Sequence, residues 1–131
     1  MTSKPLDGFR VDLGGIEFIG EGLQRPECIL AERDGTSWSA DARGGVMRIA
    51  PDGSQQLVTY SAAANFSDPD DEETRYTQGT LPNGLAFADI GDFLIANYST
   101  DLLKRMTRDV DIHTLHDTID GVAMGKVNFV L

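Results

Sequence analysis

Glu27, Asn83 and Asn128 are the residues of this chain whose types and placement could do chemistry together. Each stands at the start of a short apolar run: Pro26-Glu27-Cys28-Ile29-Leu30-Ala31, Pro82-Asn83-Gly84-Leu85-Ala86-Phe87 and Lys126-Val127-Asn128-Phe129-Val130. One carboxylate and two amide oxygens form a hard donor set, suited to Ca²⁺, Mg²⁺ or Mn²⁺ and tolerable for Zn²⁺. A cation held there could polarise a carbonyl and lower the pKa of a bound water. Each residue also has a plainer reading. Glu27 can be an ordinary carboxylate at a strand start, and Asn128 a strand cap. Asn83 before Gly84 can be a turn residue, because Asn-Gly accepts positive φ. Residue types alone leave both readings open.

An internal repeat is what makes the three equivalent. Asn83 follows Glu27 by 56 positions, and at that offset Gly35 meets Gly91, Trp38 meets Leu94, Ala40 meets Ala96 and Asp41 meets Asn97. One added residue then aligns Arg48 with Arg105, Ile49 with Met106 and Asp52 with Asp109. Asn128 follows Asn83 by 45, where a third copy opens. A period of about 40–50 residues indicates a propeller or another repeat architecture.

Within the first copy, Ile29-Leu30-Ala31, Ser37-Trp38-Ser39-Ala40, Val46-Met47-Arg48-Ile49 and Gln56-Leu57-Val58-Thr59-Tyr60 read as strands. Asp34-Gly35, Gly44-Gly45 and Pro51-Asp52-Gly53 separate them as turns. The second copy repeats this at 85–88, 93–96, 102–106 and 111–115. Short strands with glycine turns at this spacing form a β meander. No segment sustains helical spacing; Leu102-Leu103-Lys104-Arg105-Met106 comes nearest, and its repeat partner is strand-like. Four antiparallel strands per repeat are a propeller blade. In that fold the innermost strands begin around one mouth of the central channel, which would bring Glu27, Asn83 and Asn128 together. Trp38 reads as packing between blades.

The predicted architecture is therefore all-β: a partial propeller with residues 26–60 as first blade, 61–80 as an acidic insertion loop, 81–116 as second blade and 125–131 as the opening of a third. Propellers close with roughly four to eight blades, so the chain reads as the N-terminal part of a larger ring. Ile16-Glu17-Phe18-Ile19 reads as a strand that completes another blade, leaving Ile16 and Phe18 poorly packed here.

Composition narrows the function. The chain has 131 residues, 40% hydrophobic and 24% charged, which is the usage of a folded domain. Lys and Arg total 11 against 21 Asp and Glu, a net charge of −10 that argues against a nucleic-acid partner. No run of about 18 apolar residues and no secretory leader is present, so the expectation is a cytoplasmic protein without membrane partners. Other candidates fail. Asp68-Pro69-Asp70-Asp71-Glu72-Glu73 lacks the glycine a calcium loop needs at its sixth position. His113 and His116, three apart on a strand, face opposite sides. Cys28 has no His near it in sequence and reads as an inert thiol.

Gly20-Glu21-Gly22-Leu23-Gln24-Arg25-Pro26-Glu27-Cys28-Ile29-Leu30 resembles the opening strand of the SMP-30/gluconolactonase/LRE family. Pro82-Asn83-Gly84-Leu85-Ala86-Phe87 is similar to its second-blade strand, and Ile119-Asp120-Gly121 with Gly125-Lys126-Val127-Asn128 resembles the approach to its third. Members are six-bladed propellers, mostly metal-dependent hydrolases of sugar lactones or related cyclic esters. The resemblance implies a small lactone substrate, a divalent metal on Glu27, and substrate or metal contact by Asn128. Lys126 takes the place of the family's Arg, so it would bind substrate as a point charge without the bidentate fork. Phe129 replaces a polar residue. The general base is expected in later blades, so this chain alone is expected to be inactive. The competing function is a non-catalytic propeller that binds or scaffolds, which a fold by itself never excludes.

Overall fold

The computed structural model describes residues 8–59 and 81–131. Two four-stranded antiparallel meanders dominate it. The first runs β1 Ile29–Ala31, β2 Ser37–Asp41, β3 Gly45–Ile49 and β4 Gln55–Thr59; the second runs β5 Pro82–Phe87, β6 Phe93–Asn97, β7 Leu102–Met106 and β8 Ile112–His116. In each sheet every strand pairs with its chain neighbour, as short turns dictate. The expected insertion at 61–80 lies outside the described residues.

The turns repeat with the strands. Gly35 and Gly91 take φ of +92° and +87° at the first turn, and Gly44 and Asp101 take +97° and +55° at the second. At the third, Gly53 stands at +83° and its counterpart Val110 at +71°, an unusual conformation for a β-branched residue.

The sheets stack face to face. β2 carries Trp38 and Ala40 toward the second sheet, where they pack with Val46 against Leu85, Phe93, Ile95 and Met106. Trp38 meets Phe93 edge-on, ring centres 4.8 Å apart, so it does pack between blades. β2, β5 and β6 are the buried strands, β8 is exposed along most of its length, and β1 and β4 at the edges of the first sheet are exposed or half-buried. This is the all-β, blade-by-blade architecture expected.

The histidine expectation changes, and the two segments expected to belong to blades outside this chain carry no strand here. Residues 16–19 form no strand; Ile16 and Phe18 are 49% and 97% exposed, in keeping with their expected poor packing. The following segment folds onto the outer face of the first sheet, where Gln55 receives a hydrogen bond from Glu21 N–H at 2.6 Å and donates to Glu21 O at 2.8 Å. Residues 125–131 carry no strand, while Thr118–Ile119 (β9) and Val122–Ala123 (β10) form a small hairpin before them. His113 and His116 do not simply alternate: β8 has an extra residue, Leu115, so His113 pairs with Arg105 and His116 with Leu103 on one side of β7. Both histidines are exposed.

Candidate functional site

The starts of β1 and β5 lie beside each other because the blades stack there, and Cys28 Sγ donates to Leu85 O across the boundary at 3.5 Å. Neither start is regular. In the second blade the register shifts between Pro82 and Gly84, leaving Asn83 as the extra residue of a bulge. In the first, Ala40 N–H donates to Cys28 O and Ala42 N–H to Gln24 O, which leaves 25–27 looped between the two bonds. A bulge re-aims side chains, and in β5 it does so at Asn83, while Glu27 lies in the loop before β1.

A buried polar side chain anchors each irregular start. Asp41, at the end of β2, accepts from Gln24 N–H at 3.1 Å; its repeat partner Asn97, at the end of β6, accepts from Leu81 N–H at 2.9 Å. Both are fully buried. Burial works to raise the Asp41 carboxyl pKa, but hydrogen bonds from Arg43 and from the backbone outweigh it and hold the group below the ordinary value near 3.8. Arg43 binds it with two parallel contacts, Nε to Oδ1 and Nη2 to Oδ2, each 2.8 Å. The repeat alignment paired Asp41 with Asn97. A polar residue recurring at the end of an apolar strand was the available signal for this anchor, and sequence reasoning assigned it no role.

Asn83 is 6% exposed. It lies in strand β5 with no positive φ, so the turn reading is ruled out. Its Nδ2 donates to Asn128 O at 3.1 Å and to Asn128 Oδ1. Its own Oδ1 is buried without a hydrogen-bond partner among the described residues. Gly84 allows this meeting: a Cβ there would stand 2.7 Å from Phe129 Cα and 2.9 Å from Val130 N. Asn128, at the edge of this contact, is exposed.

The structure brings the two asparagines together and leaves Glu27 outside their hydrogen bonds. The Glu27 carboxylate accepts instead from Arg25 Nε at 2.8 Å, both side chains about a third exposed. Lys126 lies nearby, its Nζ donating to Ser99 O at 3.4 Å, standing 3.4 Å from Asp101 and 5.3 Å from the centre of the Tyr98 ring. Arg25 covers the same ring at 5.8 Å. Among the described residues no three His, Cys, Asp or Glu side chains cluster as a metal centre. A cavity of about 680 Å³ lies elsewhere, on the outer face of the first blade between Phe18, Gly20, Ile49, Pro51 and Gln55.

As a donor set, Asn83 Oδ1 fits a hard cation best, being a buried acceptor with no donor supplied. Asn128 holds its side-chain and main-chain oxygens beside it, both accepting from Asn83 Nδ2, and the Glu27 carboxylate, paired with Arg25, is the acidic group at the repeat-equivalent position. These amount to about three or four oxygens, against the six to eight that Ca²⁺ takes.

Comparison with known proteins places the fold. No family model matches the chain, and no curated protein matches it. Among solved structures, a catalytically inactive variant of virginiamycin B lyase from Staphylococcus aureus with quinupristin superposes with a TM-score of 0.53 at 18% identity. The match covers 79% of this chain and 30% of that one. Selenomethionine-substituted virginiamycin B lyase from the same organism gives a TM-score of 0.46 at 18% identity, over 72% of this chain and 27% of that one. The chain shares its stacked four-stranded sheets with part of a larger β-propeller and spans about 30% of that chain's length. At this identity the likeness is one of fold. No helix among the described residues is long and apolar enough to cross a membrane.

Proposed function

We propose that this chain contributes the first part of a cation site in a propeller hydrolase acting on sugar lactones or related cyclic esters. The observation that carries the reading is the unsatisfied, buried Oδ1 of Asn83 beside Asn128 at the start of an inner strand. A buried acceptor left without a donor costs on the order of 1–3 kcal/mol, which a bound cation would recover. Glu27, at the repeat-equivalent position one blade away, supplies the negative charge, and Lys126 supplies a point charge toward the substrate's polar groups.

Carbonyl polarisation and a more acidic bound water are the chemistry a Ca²⁺, Mg²⁺, Mn²⁺ or Zn²⁺ ion supplies when held there. The work of the protein is to orient. Asn83 is held within β5 and Asn128 is brought to it by the close approach that Gly84 permits, so the two amides are placed before any ligand arrives. The resemblance assigns the proton acceptor to segments outside these residues. The chain therefore binds cation weakly and turns over no lactone by itself.

The test is hydrolysis of a simple γ- or δ-lactone with added Ca²⁺, Mn²⁺ or Zn²⁺, comparing this chain with a longer protein that contains it. The expected outcome is metal-dependent turnover by the longer protein, lost in Glu27→Gln, and none by the 131-residue chain. Turnover that ignores both the metal and Glu27→Gln would overturn the reading. The non-catalytic alternative draws support from the Arg25–Glu27 pair, which satisfies the carboxylate without any ion.

A further inference from the structure

Blade one departs from blade two at the approach to its inner strand. The repeat partner of Arg25 is Leu81, which is buried at the matching strand start. Arg25 instead takes a left-handed backbone conformation, φ +51°, and sends its guanidinium to the mouth of the blades. There its Nε holds Glu27 Oε1 at 2.8 Å, while the guanidinium carbon lies 5.8 Å from the centre of the Tyr98 ring in blade two. Lys126 approaches that ring as well, at 5.3 Å. A left-handed non-glycine residue persists only where its surroundings fix it.

We propose that Arg25 is a tethered cation that competes with a divalent ion for Glu27 and so sets the affinity of the Glu27, Asn83 and Asn128 site. The inference rests on the cation site proposed above. Glu27 is the one carboxylate of that set and the partner of Arg25, so an ion must either displace the guanidinium or share the carboxylate with it. Displacement has a destination. The side chain already spans to Tyr98, a ring face able to hold a guanidinium by cation–π attraction after Glu27 lets go. The displaced guanidinium then stands near Lys126 and the bound ion, and this crowding of like charge weakens binding. Arg25 is thus a positioning residue whose role reads out in affinity.

The experiment titrates Ca²⁺ and Mn²⁺, each alone, onto the full chain by calorimetry. It compares wild type with Arg25→Met, Arg25→Lys and Glu27→Gln, using Trp38 fluorescence to verify folding. Met keeps the apolar stem and removes the charge. A unit charge several ångströms from a divalent ion in well-solvated surroundings changes affinity on the order of tenfold. Arg25→Met is therefore expected to tighten Ca²⁺ binding by about five- to tenfold. Arg25→Lys, which keeps a charge on a flexible stem, is expected between Met and wild type. Raising salt is expected to narrow the difference. Unchanged or weaker binding in Arg25→Met, with Glu27→Gln still losing affinity, overturns this inference and leaves the cation site standing. Full affinity in Glu27→Gln removes the cation site itself.

Discussion

Arg108 staples the two blades, and its removal has a calculable cost. It stands in the turn between β7 and β8, with its guanidinium carbon 4.5 Å from the Phe93 ring centre, 5.0 Å from Trp38 and 5.3 Å from Phe87. Its Nη2 meets Glu32 of the first blade at 2.6 Å, and its Nε donates to Gly91 O at 2.6 Å. The Arg108 and Glu32 side chains are 37% and 29% exposed, so the ion pair is screened and contributes only a few tenths of a kcal/mol. A half-exposed cation over aromatic faces contributes about 1 kcal/mol. The bond to Gly91 O, from a charged donor partly in water, contributes about 1 kcal/mol. Arg108→Met keeps the stem's packing and loses these, for a total near 2 kcal/mol. At this chain length about 4 °C accompanies each kcal/mol, giving a Tm fall of about 8 °C. The assay is urea and thermal unfolding followed by the fluorescence of Trp38, the single tryptophan. Glu32→Gln alone is expected to cost under about 1 kcal/mol, with a coupling to Arg108 of about 0.5 kcal/mol in the double-mutant cycle. A loss below about 0.5 kcal/mol in Arg108→Met would refute the staple and leave apolar packing as the whole of the interface.

Gly84→Ala is expected to push residues 128–130 off β5, because the new methyl meets backbone at 2.7 and 2.9 Å; faster proteolysis near Asn128 and weaker cation binding would show it. Val110→Gly is expected to cost under about 1 kcal/mol by denaturation, since relief of left-handed strain offsets lost packing, whereas Val46→Gly, in the core, is expected to cost more than about 3 kcal/mol. Asp41 is held below its ordinary pKa near 3.8, so its contribution is complete above that value and is lost as pH falls through the lower folded value. Asp41→Asn is expected to flatten part of the acid limb of stability against pH. Asp34 and Asp52, lowered by hydrogen bonds from Thr36 and Ser54 respectively, act in the same direction and are untouched by that change.

The blades were legible because their causes are local. Glycines at Gly35, Gly53 and Gly91 mark turns that need positive φ, and the alternation around Trp38 and the apolar run around Ile95 mark buried strands. Repeat alignment carried that reading through Asp101 and Val110, which no turn rule favours at positive φ. What escaped depends on pairing across space. The β5 strand begins at Pro82 because Leu81 is anchored to Asn97, so Pro-Asn-Gly lies inside a strand although its residues favour turns. The bulge of β8 arises from its match to β7, and nothing in Ile112-His113-Thr114-Leu115-His116 announces it. At the site, equivalence by repeat placed Glu27, Asn83 and Asn128 at strand starts. It could not foresee that Glu27 would pair with Arg25 two residues before it, since that contact depends on the left-handed turn of Arg25.

Calcium titration of Asn83→Ala and Asn83→Asp tests the central claim most directly. Asn83 Oδ1 is a buried acceptor without a donor among the described residues and is the proposed cation ligand, so the Ala side chain removes that ligand and the Asp side chain adds charge at the same position. The account predicts that Asn83→Ala abolishes measurable binding and that Asn83→Asp tightens it by about tenfold or more, as a carboxylate replacing an amide near a divalent ion should. Both variants binding Ca²⁺ as the wild type does would contradict it.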